Sequence, residues 1–172
     1  MQITTERLTL IACPPQMAEA AGAGRRQLES LAGARIDPIW LDEDGRGLLS
    51  YYAYQLREEV AVVGYGMWLM LLGSERCIIG SAGFKSKPDK RGCVEIGYGI
   101  SPDYRRQGYT FEAVRALIGW AFRQPDVMRV TAECLPDNQG SKRILEKIGM
   151  SNLGMQGLYL RWTLERQPQP TC

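Results

Sequence analysis

The stretch Glu95-Ile-Gly-Tyr-Gly-Ile-Ser-Pro-Asp-Tyr-Arg-Arg-Gln-Gly-Tyr-Thr110 concentrates residue types that can do chemistry. On a strand, successive side chains point to opposite faces. Val94, Ile96, Tyr98 and Ile100 therefore share one face, and Cys93, Glu95, Gly97 and Gly99 share the other. That second face offers one carboxylate and two missing side chains. Glycine within a strand marks a bulge or a place where a ligand comes close, and a bulge with Glu95 reaching solvent explains the strand equally well. The loop tips the balance. Arg105 to Gly108 is short and basic, and it opens directly into an amphipathic helix. Free N–H groups and the positive end of the helix dipole make an anion site there. The arginines add charge at the rim, and Gly108 lets the backbone turn toward a phosphate. Neither a G-x-x-x-x-G-K-[ST] loop nor a G-x-G-x-x-G motif is present. These residues alone describe a pyrophosphate-type site of unspecified ligand, with a basic surface turn as the plain alternative. A third segment, Asn138-Gln-Gly-Ser141, follows a strand and opens a helix that ends at Gly149. Helix capping accounts for Asn138 unless the helix start also faces the ligand.

These segments need a scaffold. Cys93–Ile100 reads as a strand, Tyr109–Arg123 as a helix with Phe111, Val114, Ile118 and Ala121 at helical spacing, Val127–Cys134 as a strand, Asn138–Ile148 as a helix and Leu158–Leu164 as a last strand. Strand-helix-strand from Cys93 to Cys134 implies a parallel pair with a right-handed crossover. Upstream, Ile3–Ile11 is a first strand stopped by Pro14 and Pro15. Met17–Leu31 is helical, with an interruption near Gly22 and Gly24. Asp37–Gly47 is a loop and Leu48–Glu59 a second helix. The apolar run Val60–Leu72 is a turn feeding a buried strand, and Met67–Leu72 pairs with Cys77–Lys85 as a hairpin about Gly73 and Ser74. The expected fold is α/β (α+β): a mixed central sheet flanked by helices. Residues 1–165 form one domain and 166–172 a short frayed tail. If the two parallel strands splay, both following helix starts point into one crevice, where open sheets bind ligands.

Composition narrows the chemistry. The 172 residues carry 21 Lys plus Arg against 19 Asp plus Glu, a net charge of +2, too small to argue for nucleic acid or an anionic membrane as partner. There is no histidine, which excludes Ser-His-Asp and Cys-His triads and H-E-x-x-H zinc sites. The five cysteines are widely spaced without C-x-x-C, a spacing that gives no support to a zinc site, and Cys77, Cys93 and Cys134 read as small core residues of a reduced, cytoplasmic protein, so no metal is expected. The opening Met-Gln-Ile-Thr-Thr-Glu-Arg has no basic stretch followed by an apolar one, so no signal peptide is expected.

Arg105-Arg106-Gln107-Gly108-Tyr109-Thr110 resembles the R/Q-x-x-G-x-G/A acetyl-CoA loop of the GNAT N-acetyltransferase superfamily. Glu95-Ile-Gly-Tyr98, Asn138-x-x-Ser141-x-x-Ile-Leu-Glu-Lys-Ile-Gly-Met150 and the opening Thr4-Thr-Glu-Arg-Leu-Thr-Leu10 are similar to its Rim-type branch of protein N-terminal acetyltransferases. The resemblance runs from Ile3 to Leu164 and is most specific from Glu95 to Met150. It implies that amides from about Arg106 to Thr110, in the loop that opens at Arg105, hold the CoA pyrophosphate, that the pantetheine arm pairs with the edge Tyr98-Gly99-Ile100, and that Asn138 and Ser141 lie near the pantetheine and sulfur. The loop ends in Thr110 instead of Gly or Ala. Where many relatives carry a tyrosine that protonates the thiolate, this sequence has Leu145, so the resemblance leaves Ser141 as the acid, with water as the fallback.

The implied reaction is direct acetyl transfer from acetyl-CoA to a primary amine, on a monomer or homodimer. Such an amine must lose a proton to attack. Glu95 is the expected base, directly or through water, with Glu133 as a weaker candidate and a strand-edge ion pair with an arginine as the structural alternative for Glu95. A Tyr98 amide would polarise the thioester carbonyl. By the same resemblance, Asp37, Asp42, Glu43 and Asp44, beside Trp40, Tyr51, Tyr52 and Tyr54, are expected to draw a cationic amine toward the cleft, with a solvated acidic loop and core aromatics as the plain alternative. A non-catalytic acyl-CoA binder or sensor on the same fold, or a general phosphate-ligand module, are the alternatives.

Overall fold

The computed structural model describes residues 1–59 and 62–167; the tail expected at 166–172 therefore lies almost wholly outside the described residues. Nine strands pair into one sheet: β1 (Gln2–Thr4), β2 (Leu8–Ala12), β3 (Arg35–Ile36), β4 (Met67–Leu72), β5 (Cys77–Phe84), β6 (Cys93–Ile100), β7 (Arg129–Cys134), β8 (Ser151–Gln156) and β9 (Tyr159–Glu165). Their order is β1-β2-β4-β5-β6-β7-β9-β8, with the two-residue β3 pairing parallel to β5 off this path. The helices are α1 (Pro15–Glu19), α2 (Arg25–Ala32), α3 (Glu43–Arg57), α4 (Tyr109–Phe122) and α5 (Gln139–Ile148).

Two apolar layers hold the sheet between the helices. Leu8, Leu10, Trp68, Met70, Ile79, Val94, Ile96, Val130 and Ala132 face α4 and α5 through Ala113, Val114, Leu117 and Leu145. On the opposite face Leu69 and Ile78 pack with Met17, Leu28, Leu49 and Tyr52 of α1, α2 and α3. The alternation that divides Leu69 from Met70 is the period of a strand buried on both faces. The helices α1–α3 cover only the β4–β5 side of their face. The same face of β6, β7 and β9 is therefore open, and Glu95, Gly97 and Gly99 lie on it.

Where sequence and structure differ, the cause is local. Arg7 and Thr5 break the first strand into β1 and β2, because Thr5 turns back to the Leu8 carbonyl at 2.9 Å. Helix α3 starts at Glu43 rather than Leu48, because the Asp42 carboxylate accepts the Gly45 N–H at 3.0 Å and caps it. Strand β8 carries no alternation, since all six of its residues are exposed. It exists because Gly157, with φ of 63°, turns it back onto β9.

The parallel pair is short. β6 pairs with β7 only over Cys93–Glu95 and Arg129–Thr131, while its other edge stays bonded to β5 as far as Ile100. Beyond Glu95 the two strands diverge and leave a wedge.

Candidate active site

The loop between β6 and α4 reverses direction through two left-handed residues, Arg106 at φ 60° and Gly108 at φ 84°. The geometry leaves the backbone N–H groups of Arg106, Gln107, Gly108, Tyr109, Thr110 and Phe111 with no acceptor among the described residues. All of these residues but Gln107 line a cavity of about 810 Å³, together with Tyr98, Gly99, Ile100 and Arg105 and with Asn138, Gln139, Gly140 and Ser141 of the α5 start. An anion there meets aligned dipoles and unsatisfied donors at once. Gln107 is the one expected loop residue outside the lining: its side chain turns back to the Asp103 carbonyl at 3.0 Å. Thr110 is buried at the cavity floor.

Asn138 does both things the sequence allowed. Its Oδ1 accepts the Ser141 N–H at 3.0 Å, capping α5, and its side chain reaches the cavity. Tyr98, Asn138 and Ser141 also line a second space of about 280 Å³, formed in the wedge between β6 and β7 with Lys85, Ile96, Gly97, Glu133, Cys134, Leu135 and Tyr159. These three residues are the junction of the two spaces. Burial pushes the Tyr98 phenol up to about 12, with the Ser141 side chain pulling the other way, so the phenol stays protonated at neutral pH. Leu145 is fully buried in the core and faces away from the junction. At Gly97 and Gly99 an added Cβ would meet nothing within 4 Å. The absent side chains leave room, and no packing requirement explains them.

Glu95 sits in a four-charge cluster. Lys85 Nζ bridges Glu95 and Glu133, the latter at 2.7 Å, and Arg161 Nη1 lies 2.9 Å from Glu133 and 3.4 Å from Glu95. Arg161 stands directly across the β7–β9 ladder from Glu133, an opposite-charge cross-strand pair. The ion pair weighed as the alternative for Glu95 is thus present. Glu133 lines the wedge and Glu95 does not. The hydrogen bond from Lys85 holds the Glu133 carboxyl below the usual carboxylate range, against the upward push of burial. Burial lowers the Lys85 ammonium, but its bonds to Glu133 and Glu95 outweigh this and leave it raised. Gln55 of α3 fixes this corner by donating to the Lys85 carbonyl at 2.6 Å.

The acidic loop does not join the site. Asp37 is buried, and its Oδ1 accepts from Ile39 N, Trp40 N and Ser101 Oγ. Asp42 caps α3. Neither space is lined by Asp37, Asp42, Glu43, Asp44, Trp40, Tyr51, Tyr52 or Tyr54. Asp37 and Asp42 are thus engaged in a local turn and a cap, while Glu43 and Asp44 lie exposed in the first turn of α3. Sequence reasoning missed Lys85, Tyr159, Arg143 and Lys147, the last two lining the larger cavity from α5. Their i,i+4 spacing on one helix face was the available signal.

Comparison with known proteins agrees with this geometry. Residues 35–151 match the acetyltransferase (GNAT) domain. The uncharacterized N-acetyltransferase YjdG of Bacillus subtilis is 31% identical over 93% of this chain and 95% of its own. A GNAT-family acetyltransferase from Bacillus anthracis superposes with a TM-score of 0.65 at 22% identity, covering 96% of this chain and 99% of that one. RimL, a ribosomal L7/L12 α-N-protein acetyltransferase solved in complex with coenzyme A, gives 0.68 at 17% identity, covering 96% and 98%. The mixed sheet, nine-stranded among the described residues, with its splayed parallel pair shares its fold with these solved acetyltransferases. The chain belongs to the GNAT acetyltransferase family.

Proposed function

We propose that residues 1–165 form one catalytic unit that transfers an acetyl group from acetyl-CoA to a primary amine by direct attack. The observation that carries this reading is the junction at Tyr98, Asn138 and Ser141, where an anion cavity meets the wedge beside Glu133. The amides from Arg106 to Phe111 bind the pyrophosphate, and Arg105, Arg106, Arg143 and Lys147 supply the surrounding positive charge. The pantetheine arm follows Ile100, Gly99 and Tyr98 to the junction, which places the thioester where both spaces open.

In the wedge the neutral amine adds to the thioester carbonyl, whose oxygen takes a backbone N–H near Tyr98. The adduct nitrogen is far more acidic than the free amine, so a carboxylate held at low pKa suffices to receive its proton. Glu133 takes that role through a water, and Glu95 fixes Lys85 and Arg161 around it. Glu95 is a positioning residue in this reading, and the base role that the sequence suggests for it, directly or through water, is given to Glu133. As the C–S bond breaks, the thiolate takes the Ser141 hydroxyl proton while Ser141 Oγ takes one in turn from a solvent water, with the Tyr98 phenol beside it. RimL, by its description, acetylates an α-amine of a protein. That supports an α-amino acceptor here, whose pKa near ~8 leaves a usable neutral fraction at physiological pH.

The test is acetyl-CoA consumption over a panel of peptides, amino acids and polyamines. Turnover with at least one amine, abolished in Ser141→Ala combined with Glu133→Gln, is the expected result. Acetyl-CoA binding without turnover on any amine would favour an acyl-CoA sensor instead.

A further inference from the structure

We infer that Arg7 is the positioning residue that holds the pyrophosphate loop in its binding conformation; this rests on reading that loop as the acetyl-CoA cradle. The loop needs an outside anchor. Arg106 is a non-glycine residue in the left-handed region at φ 60°, two residues from Gly108 at φ 84°, and an L side chain adopts that region only where the surroundings impose it.

Arg7 meets the loop at three points. Its Nη1 donates to the Gln107 carbonyl at 2.8 Å, across 100 residues of chain. Its guanidinium carbon lies 4.4 Å over the Tyr109 ring centre. Its Nη2 would stand 3.2 Å from a Cβ built on Gly108. Holding the Gln107 carbonyl outward fixes the peptide plane it shares with the Gly108 amide, and so aims that N–H into the cavity. The planar guanidinium makes these contacts together, which an ammonium cannot.

Arg7 is itself locked. The Glu112 carboxylate, 9% exposed in the first turn of α4, accepts Arg7 Nε at 2.8 Å, Arg7 N at 2.8 Å and Thr5 Oγ1 at 2.6 Å. The chain's opening segment is therefore tied to the start of α4, with the loop clamped between Glu112 and Gln107. No atom of Arg7 lines the cavity; its effect on the cosubstrate passes through the loop.

Two donors separate this role from a general structural one: acetyl-CoA and S-acetylpantetheine, which has the same thioester and no pyrophosphate. Kinetics of the wild type, Arg7→Met and Arg7→Lys are measured with both, and folding is checked by circular dichroism. In Arg7→Met the KM for acetyl-CoA is expected to rise at least tenfold, with kcat at saturation within about twofold and kcat/KM for S-acetylpantetheine unchanged. Arg7→Lys, which keeps a cation near Glu112 but cannot also span to Gln107, gives an intermediate KM and preserves folding should Arg7→Met not. An unchanged acetyl-CoA KM in folded Arg7→Lys and Arg7→Met overturns the inference, as does an equal loss with both donors. A wild type that uses S-acetylpantetheine as well as acetyl-CoA overturns the cradle reading itself, a result visible before any variant is made.

Discussion

The Asn138 carboxamide oxygen accepts the Ser141 backbone N–H at 3.0 Å, and both residues line the larger cavity as well as the wedge. One hydrogen bond thus starts α5 and sets the position of the Ser141 hydroxyl. Asn138→Ala is expected to cost about 1 kcal/mol as a lost N-cap, or a Tm fall of roughly 2–4 °C for a chain of this size. Turnover should drop further than that loss of folded protein explains. Ser141→Ala should lower kcat by about tenfold or more and leave Tm and acetyl-CoA affinity alone. A Ser141→Ala enzyme with normal kcat would hand the proton to water.

Gly108 stands at φ 84° with Arg7 Nη2 3.2 Å from the site of a Cβ. Gly108→Val is strained by its backbone and by that contact, and the amides around it lose their aim. Acetyl-CoA affinity measured by calorimetry should fall at least tenfold, or about 1.4 kcal/mol, in a folded protein. Unaltered affinity would sink the loop assignment.

Gly97 offers the opposite case. A side chain there meets nothing within 4 Å, and a β-branched residue suits a strand. Gly97→Val should keep or slightly raise Tm while filling the wedge. Acceptor KM or kcat should suffer severely, with acetyl-CoA binding changed little. Full activity in this variant would mean that the acceptor enters elsewhere.

Hydrogen bonding from Lys85 lowers the Glu133 carboxyl below the usual range, so it is ionised throughout neutral pH. The rise of kcat/KM with pH near neutrality therefore belongs to the acceptor amine losing its proton. That limb should move by the difference in amine pKa when two acceptors are compared. Glu133→Gln should lower kcat by up to ~10²–10⁴, the range of general-base effects, and Glu95→Gln by less. A limb that stays fixed across acceptors would point to an enzyme group instead.

Burial pushes the Glu112 carboxyl up, and the hydrogen bonds from Thr5 and Arg7 outweigh it, leaving it below its ordinary value. A carboxylate depressed on folding stabilises above its unfolded pKa of about 4.3 and loses that contribution as pH falls through the lower folded value. Glu112→Gln should cost roughly 1–3 kcal/mol at pH 7. Urea titrations at pH 7 and pH 3 should show the gap to wild type narrowing in acid; an equal gap at both would assign the loss to packing.

The sequence by itself determined much of the working half. The period-two pattern of Cys93–Ile100 and the helical spacing after Tyr109 are local signals, so β6 and α4 fall within one residue of expectation. Gly108 and Asn138 carry their own backbone requirements, so the loop and the α5 cap could be read where they stand. β8 could not, because an exposed strand has no alternation and exists only through pairing with β9. The roles of the carboxylates were equally closed to a linear reading. Asp37 and Asp42 look like a charged entrance until Ser101, 64 residues from Asp37, and the α3 amides are seen to use them. Glu95 and Glu133 are indistinguishable by type. Divergence of β6 from β7 after Glu95 leaves Glu133 on the wedge, and Lys85, just past the end of β5, and Arg161, within β9, share both. The pairing of Arg7 with Glu112 spans 105 residues. Charge and hydrogen-bond partners act over a few ångströms in space whatever their distance in sequence. Local conformation was therefore legible from the chain, and which carboxylate is spent and which is left facing the wedge was decided by tertiary packing.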